Sequence, residues 1–190
     1  MAVSSTMLPL GTPAPPFSLV EPLTGRIVSD GDIARQALLV MFICNHCAYV
    51  QHIRPGLVQL GRVYAGGALG IVAISANDPE AYPDDGPEQL AQAARAHEYA
   101  FPYLYDETQE VARAYTAACT PDFFLFDAQR RLAYRGRFDA SRSGSGVPVT
   151  GRDLRRAIDA VLAGEPAPTE QYPSLGCSIK WRPGNEPSSV

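Results

Sequence analysis

Two continuous apolar runs stand out in the alternation of hydrophobic and polar positions along the chain. Residues 38–43 read LLVMFI, and residues 69–76 read LGIVAISA. Short apolar runs with polar boundaries are typical of strands that are buried on both faces. Between them, apolar residues recur at helical spacing to about Tyr64, and Gly66 and Gly67 predict the end of that helix. The pattern therefore predicts a strand, a helix and a second strand in succession.

Weaker patterns predict shorter elements on both sides of this unit. We expect a hairpin at residues 17–20 and 26–29, a short capped helix at 30–37, helices at 87–99, 108–115 and 151–163, an extended segment at 101–105, and strands at 122–126 and 131–138. Alternating strands and helices followed by a hairpin and a helix are typical of an α/β fold, in which helices cover both faces of a mixed β-sheet.

The same pattern indicates how the chain is divided. Residues 1–16 are rich in proline and show no period, so they predict an extended N-terminal arm, and residues 17–164 predict one globular domain. The remaining residues, 165–190, form a polar C-terminal tail that contains the apolar stretch 175–181. Because apolar residues favour burial, we expect this tail to dock in part on the domain.

Composition and charge exclude several classes of partner. Of the 190 residues, 46% are hydrophobic and 19% are charged, and the net charge is −4. A negative charge without a basic patch gives no attraction to nucleic acid or to an anionic membrane. No apolar run approaches the roughly 20 residues that span a bilayer, and the N-terminus lacks the pattern of a signal peptide. We therefore expect a cytoplasmic monomer or homodimer that acts on proteins or small molecules.

Candidate chemistry lies where the first apolar run ends. Cys44 and Cys47 form a CxxC motif, with His46 between them, at the junction of the predicted strand and helix. The first turn of a helix has unpaired backbone N–H groups and the positive end of the helix dipole, and both favour a thiolate. In a reducing compartment, a CxxC motif beside a strand–helix–strand pattern indicates redox or metal chemistry.

These features resemble the thioredoxin superfamily, specifically its peroxiredoxin-like, or redoxin, branch of the AhpC/TSA type. The resemblance covers most of residues 10–165. It rests on the CxxC motif, on Thr120-Pro121 before a predicted hairpin, and on the helical insertion between the second strand and that proline. The segments FICNHCAYV at 42–50 and GCSIKW at 176–181 resemble a bacterial subgroup with a CNHC motif. The family implies a thioredoxin-like fold and thiol–disulfide chemistry.

The resemblance also implies a role for each site residue. Cys44 corresponds to the attacking thiolate, and Cys47 to the thiol that resolves the mixed disulfide. His46 stands where an imidazole can stabilise the thiolate and make the disulfide a better oxidant. Pro121 is expected to be cis and to pack beside the CxxC motif, with the Thr120 backbone open to an extended substrate peptide.

Three departures from the family patterns bear on the activity. Thioredoxin-like reductases usually carry Trp before the first cysteine, and this chain has Ile43. The apolar stretch 38–41 offers no buried carboxylate beneath the disulfide. Peroxiredoxins align their peroxidatic cysteine with Cys47, but they carry Thr or Ser at the position of Cys44 and proline at the position of Val40. The sequence therefore favours disulfide exchange over peroxide reduction.

Three functions stay open on the sequence alone. A thiol–disulfide oxidoreductase would act on disulfides of proteins or small molecules, would need no cofactor, and would be recycled by an external dithiol. A peroxiredoxin-like thiol peroxidase would form a sulfenate at one cysteine of the CxxC motif. A zinc-binding domain would draw its ligands from the cysteines and histidines. These residues are Cys44, Cys47, Cys119, Cys177, His46, His52 and His97.

The two cysteines outside the motif have two interpretations. Cys119 directly precedes Thr120-Pro121, and Cys177 lies in the apolar stretch of the tail. In the first interpretation, a disulfide of the CxxC motif is passed on to Cys119 or Cys177 in a relay. In the second, both are small buried hydrophobic residues, which is the common state of a free cysteine.

Overall fold

The computed structural model describes residues 2–33 and 35–187. Within these residues lie the strands β1 (Ala2–Ser4), β2 (Ser18–Val20), β3 (Ile27–Ser29), β4 (Ala37–Phe42), β5 (Leu69–Ser75), β6 (Tyr103–Tyr105), β7 (Cys119–Thr120), β8 (Asp122–Phe126), β9 (Leu132–Gly136) and β10 (Leu175–Ser178). The helices are α1 (Ala48–Tyr64), α2 (Pro87–Ala96), α3 (Glu110–Ala114) and α4 (Arg152–Leu162). None of the helices in the described residues is both long and apolar enough to cross a membrane.

Seven strands form the central sheet, in the order β3-β2-β6-β5-β4-β8-β9. The three strands β4, β5 and β6 run parallel, whereas β8 pairs antiparallel with β4, and β9 antiparallel with β8. At the other edge, the hairpin of β2 and β3 joins β6 in the antiparallel orientation. The sheet is therefore mixed and carries an N-terminal hairpin extension, as the sequence predicts.

The central strand β4 is buried on both faces, which explains its continuous apolar sequence. Leu39 and Met41 belong to a core cluster that includes residues of α1, α2 and α4. Leu38 and Val40 belong to a second cluster, which includes a residue of α3. Successive side chains of a strand point to opposite faces, so a strand between two packed layers needs apolar residues at every position. Helices thus cover both faces of the sheet.

A second, smaller sheet joins the two ends of the chain and has no counterpart in the sequence predictions. Its three strands lie in the order β1-β10-β7. Cys177 on β10 is the register partner of Ala2 on one side and of Thr120 on the other. The apolar stretch of the tail therefore pairs with the N-terminal arm and with the strand before Pro121. The predicted limits of arm, domain and tail stay predictions.

One predicted element is wrong, the short helix at 30–37. Residues 30–33 form turns, and β4 already begins at Ala37. Asp32 accepts hydrogen bonds from the backbone N–H and the hydroxyl of Ser29, which closes a turn instead of capping a helix. Ala34, which belongs to this prediction, lies outside the described residues. The other predicted helices and strands are confirmed, with small differences at their ends.

Candidate active site

The CxxC motif lies between the end of β4 and the start of α1. Phe42 is the last residue of β4, and Cys47 is the N-cap residue of α1, with an extended backbone. Cys44 and Cys47 are free thiols, and only 1% and 0% of their surfaces are exposed. The apolar strand thus delivers both sulfurs to the protein interior, at the N-terminal end of a 17-residue helix.

Thr120 contacts both sulfurs of the motif. Its hydroxyl oxygen lies 3.1 Å from Cys44 Sγ, and its carbonyl oxygen accepts a hydrogen bond from the Cys47 thiol at 3.1 Å. The next peptide bond, between Thr120 and Pro121, is cis, as predicted. The fold therefore brings together four residues that the sequence singles out. Cys47 donates this hydrogen bond through its S–H group, so the bond to Thr120 is lost when Cys47 ionises.

A buried carboxylate lies beside the motif, which corrects the expectation drawn from the apolar stretch 38–41. Asp85 is 0% exposed and accepts hydrogen bonds from the N–H groups of Asn45, at 2.7 Å, and His46, at 3.3 Å. Its second oxygen contacts His46 Nδ1 at 2.5 Å and the Asn77 amide at 2.8 Å. Asp85 therefore anchors the loop that carries the CxxC motif.

The His46 ring is held on two sides. Its Nδ1 contacts Asp85, and its face stacks on Tyr82 with 4.9 Å between the ring centroids. A ring nitrogen of His46, Cys44 Sγ and a carboxylate oxygen of Asp85 lie within 4.8 Å of one another. At this separation a protonated imidazole stabilises a thiolate, and a carboxylate destabilises it. Both residues are thus placed to change the acidity of the thiols.

The contacts of the two cysteines shift their pKa values in opposite directions. Hydrogen bonding with Cys47, burial and the Asp85 carboxylate raise the pKa of Cys44. Hydrogen bonding with Cys44 and with the Cys177 thiol lowers the pKa of Cys47, although burial opposes this effect. The backbone N–H groups of Val50 and Cys177 lower it further. These contacts favour the thiolate at Cys47, whereas the family resemblance places it at Cys44.

The two remaining cysteines occupy different environments. Cys119 is 0% exposed, its thiol contacts the Pro121 carbonyl oxygen at 3.6 Å, and burial raises its pKa. Cys177 is only half-buried, and it packs against the core cluster that contains Cys44 and Cys47. Burial raises the pKa of Cys177 to about 11. The thiols of Cys44 and Cys177 both act on Cys47, and the three residues are called the thiol row below.

The backbone edge of Thr120 is occupied by the tail of the same chain. β10 pairs antiparallel with β7, so that Cys177 lies opposite Thr120, and Ser178 opposite Cys119. A Cβ atom on Gly176 would lie 1.9 Å from the Thr120 carbonyl oxygen, so only glycine allows the two strands to approach this closely. The edge that the sequence assigns to an extended substrate peptide is thus filled by β10.

A buried ion pair supports the strand that follows Pro121. Asp122 and Arg135 are both 0% exposed, and Arg135 Nη2 lies 3.1 Å from Asp122 Oδ2. Arg135 also donates two hydrogen bonds to Thr116 and lies over the Phe124 ring. Burial raises the pKa of Asp122 to about 6, although Arg135 lowers it. One charged residue in each strand of an otherwise apolar hairpin is the sequence signal for this pair.

A cavity of about 390 Å³ opens beside Pro121. Its wall includes Tyr49 from the first turn of α1, Phe138, and Leu175 at the start of β10. Apolar and aromatic walls of this kind are typical of small-molecule sites. The cavity therefore offers space for the apolar part of a substrate next to the CxxC motif.

The cluster of Cys44, His46 and Asp85 has the donor types of a metal site. However, both oxygens of Asp85 already accept hydrogen bonds, from the two loop N–H groups, the His46 ring and the Asn77 amide. A buried carboxylate with these partners is satisfied without a cation. Coordination by Asp85 would give up the bonds that anchor the loop, so the cluster fits a loop anchor better than a metal centre.

The other ligands considered for zinc lie apart from this cluster. His52 Nε2 contacts the Ser141 hydroxyl at 3.2 Å, and the His97 ring packs against Tyr99. Across residues 2–33 and 35–187, no further group of three cysteine, histidine or acidic ligands comes within bonding range of a common ion. The cysteine and histidine ligands that the sequence offers for zinc are therefore not assembled into one site in the described part of the chain.

The sequence matches the model of the AhpC/TSA family over residues 10–135. The chain belongs to the AhpC/TSA family. This result confirms the resemblance drawn from the CxxC motif and from Thr120-Pro121. Among proteins with curated descriptions, none matches the sequence.

Solved structures agree with this assignment. An uncharacterized conserved protein from Geobacillus kaustophilus is 51% identical, with a TM-score of 0.95 over 97% of this chain and 98% of that one. A hypothetical protein from Sinorhizobium meliloti 1021 is 47% identical, with a TM-score of 0.93 over 95% and 99%. A thiol:disulfide interchange protein of the thioredoxin family, from Chlorobium tepidum TLS, is 20% identical, with a TM-score of 0.62 over 82% and 99%. This AhpC/TSA protein therefore has a thioredoxin-like fold, and its family supports a redox function in general terms.

Proposed function

We propose that this AhpC/TSA protein is a thiol–disulfide oxidoreductase with the Cys44–Cys47 pair as its redox centre. The observation that carries the proposal is the convergence of both sulfurs on Thr120, each at 3.1 Å, directly before cis Pro121. Two thiols held against one residue at the start of a helix are placed to close a short disulfide ring. Family and fold support redox chemistry in general, and the proposal adds the residues and the reaction.

The proposed reaction transfers two electrons from the dithiol to a disulfide of a protein or small molecule. One thiolate attacks a sulfur of the substrate disulfide, expels the other sulfur as a thiolate, and forms a mixed disulfide. The other cysteine of the pair then loses its proton and attacks the sulfur of the first cysteine in this mixed disulfide. The Cys44–Cys47 disulfide closes, and the two released substrate thiolates take up the two protons. An external dithiol restores the pair by further thiol–disulfide exchange, without a bound cofactor.

Hydrogen bonding around the pair supports Cys47 as the first thiolate and Cys44 as the resolving thiol. Hydrogen bonding with Cys44 and Cys177 lowers the pKa of Cys47, whereas hydrogen bonding with Cys47, burial and the Asp85 carboxylate raise the pKa of Cys44. This assignment exchanges the roles that the family resemblance implies. His46 acts on the pair through its ring beside Cys44 and through its contact with Asp85, so it is a positioning and tuning residue in this proposal.

A thiol peroxidase is the second candidate, and one observation favours it. Cys47, which aligns with the peroxidatic cysteine in the family resemblance, has the lowered pKa that sulfenate formation requires. However, Cys44 and Val40 stand at the positions where peroxiredoxins carry Thr or Ser and proline. Peroxide consumption no faster than that of free cysteine would remove this candidate.

Disulfide mapping and an insulin reduction assay test the proposed function. After exposure to glutathione disulfide, mass spectrometry of the intact chain is expected to find a bond between Cys44 and Cys47. Cys44→Ser and Cys47→Ser are each expected to abolish insulin reduction in the presence of dithiothreitol. Cys119→Ser changes a buried thiol outside the pair and serves as the matched control. Oxidised wild-type protein without the Cys44–Cys47 bond would show that the proposal is wrong.

A further inference from the structure

The strand β10 places a third thiol against the redox pair. Cys177 is the register partner of Thr120, the residue whose hydroxyl and carbonyl contact the sulfurs of the pair. Cys177 also packs against the core cluster that contains Cys44 and Cys47. Because Cys44 and Cys177 both lie near Cys47, a disulfide can pass along this row by two successive exchanges.

The docking of β10 is built into the fold on both of its edges. On one edge, the missing side chain of Gly176 allows the strand to approach the Thr120 carbonyl. On the other edge, β1 pairs with β10 along its length, and this pairing continues beyond the strands. There the Ser5 N–H donates to the Ser174 carbonyl at 2.9 Å, and the Ser174 N–H donates to the Ser5 hydroxyl at 3.0 Å. Cys177 therefore has a fixed place beside Cys47.

The exposure of the four thiols differs in a way that bears on access. Cys44, Cys47 and Cys119 are 1%, 0% and 0% exposed. Cys177 is the one cysteine of the four with substantial exposure. A sulfur of an external molecule must approach the sulfur that it attacks in direct contact, so Cys177 offers an external dithiol a less hindered approach than the buried pair in this arrangement. The half-exposed thiol of the row is the accessible one.

We propose that Cys177 is the exchange thiol through which an external dithiol reduces the buried Cys44–Cys47 disulfide. The proposal rests on the proposed function, because it requires that this disulfide forms. It assigns the tail a redox task and not only a packing role. It also names the class of partner, a dithiol whose sulfur reaches Cys177 at the surface of β10.

The proposed sequence of exchanges balances in atoms and electrons. Cys177 loses its proton and attacks the Cys47 sulfur of the Cys44–Cys47 disulfide, which releases Cys44 as a thiolate that takes up a proton. The first thiolate of the external dithiol then attacks Cys177 and expels Cys47 as a thiolate. The second thiolate of the dithiol attacks the dithiol's other sulfur, which is bonded to Cys177 in the mixed disulfide, and so releases Cys177. The dithiol leaves as a disulfide, and two electrons and two protons have passed to the pair.

The contacts around the row favour this direction of cleavage. In the Cys47–Cys177 disulfide, attack on Cys177 expels Cys47, and attack on Cys47 would expel Cys177. A thiol of lower pKa is the better leaving group. Hydrogen bonding with Cys44, which the first exchange has released as a free thiol, lowers the pKa of Cys47, whereas burial raises that of Cys177. Exposure and leaving-group ability therefore both direct the external thiolate to the same sulfur.

A trapping experiment tests whether the two neighbouring thiols exchange. The Cys44→Ser variant lacks the thiol that would attack Cys47 in a Cys47–Cys177 disulfide, so this disulfide should accumulate. After oxidation with diamide, mass mapping is expected to find the Cys47–Cys177 bond as the main product. Its absence, with both thiols recovered free or bonded elsewhere, would overturn the proposal.

A kinetic experiment tests the route itself. Wild-type protein, Cys177→Ser and Cys119→Ser are oxidised with diamide, freed of reagent, and reduced with dithiothreitol, and samples are alkylated and mapped over time. We expect reduction of the Cys44–Cys47 bond to be at least about tenfold slower in Cys177→Ser and unchanged in Cys119→Ser. An equal rate in wild type and Cys177→Ser would overturn the route and leave the proposed function intact. Failure of the Cys44–Cys47 bond to form in wild type would instead overturn the proposed function.

Discussion

The carboxylate of Asp85 contacts the imidazole of His46 at 2.5 Å, across 39 residues of sequence. Both groups also lie within 4.8 Å of Cys44 Sγ. One side of the redox pair therefore carries a carboxylate and, in contact with it, an imidazole ring. Because a carboxylate and an imidazolium act on a thiolate with opposite sign, removing each group should move the reduction potential in opposite directions.

Hydrogen bonding with Cys47, burial and the Asp85 carboxylate raise the pKa of Cys44, and Asp85→Asn removes the last of these three causes. A lower pKa stabilises the thiolate and hence the reduced form. We expect the disulfide to become more oxidising by about tenfold in its equilibrium with glutathione, or roughly 30 mV. The measurement is alkylation of the free thiols across a series of glutathione ratios. Asp84→Asn changes the exposed neighbouring carboxylate and is the matched control. An unchanged potential in Asp85→Asn would contradict this prediction.

His46→Phe keeps an aromatic ring against Tyr82 but removes the nitrogen that contacts Asp85. The carboxylate then acts on the thiols without a compensating partner, so the thiolate is less stable. We expect the disulfide to become less oxidising, by up to about tenfold in the same glutathione equilibrium. His97→Phe serves as the control, because the His97 ring packs against Tyr99 and not against the pair. A shift in the same direction as that of Asp85→Asn would indicate that loop distortion governs both variants.

Gly176→Ala tests how tightly β10 is docked. The added Cβ would lie 1.9 Å from the Thr120 carbonyl oxygen, so the two strands must separate. We expect a loss of about 1–3 kcal/mol in the free energy of unfolding and faster alkylation of Cys177 by iodoacetamide. Labelling rates mapped by mass spectrometry give the second effect. Gly31→Ala, whose new Cβ would meet only Ser29 Oγ at 3.6 Å, should change neither quantity.

The buried pair of Asp122 and Arg135 should make stability depend on pH. A carboxyl group whose pKa is raised on folding binds its proton more tightly in the folded state. Its contribution to stability is therefore complete at low pH and is lost as the pH rises from about 4, the unfolded value, to about 6, the folded value.

Arg135→Met removes the guanidinium that lowers the pKa of Asp122, and leaves the carboxylate buried without its partner. We expect a loss of about 3–5 kcal/mol in the free energy of unfolding near pH 7, and a smaller loss near pH 5, where Asp122 holds its proton. Urea unfolding at the two pH values measures this difference. Arg137→Met breaks a partly exposed pair with Asp153 and should cost less, without the pH dependence.

The sequence predicts the centre of the fold better than its edges. The strands β4 and β5 are visible because burial on both faces requires apolar residues at every position. The pairing of β1 with β10 is not visible, because Ala2–Ser4 is too short to show a period and its partner lies far along the chain. The prediction that residues 30–33 start a helix is wrong for a local reason. The Ser29 N–H donates a hydrogen bond to the Asp32 side chain, and this bond closes a turn in place of a helix cap.

The residues of the active site also differ in how far the sequence predicts them. Cys44, Cys47 and Pro121 belong to motifs that can be read from short stretches of sequence. Asp85 belongs to no motif, and nothing in the sequence separates it from the exposed Asp84 beside it. A topological signal does exist: β4 and β5 are parallel neighbours, so the loops after both strands lie at the same edge of the sheet. A polar residue in the loop after β5 is therefore a candidate neighbour of the CxxC motif.

The small sheet has a practical consequence for handling the protein. Ala2 is the register partner of Cys177, and β10 lies only a few residues before the last described ones. An affinity tag joined ahead of Ala2 would thus begin beside the half-exposed thiol, where its own cysteines or histidines could react or bind metal in place of the native groups. Purified material with the tag removed by a protease is the form in which redox measurements on this chain report on its own thiols.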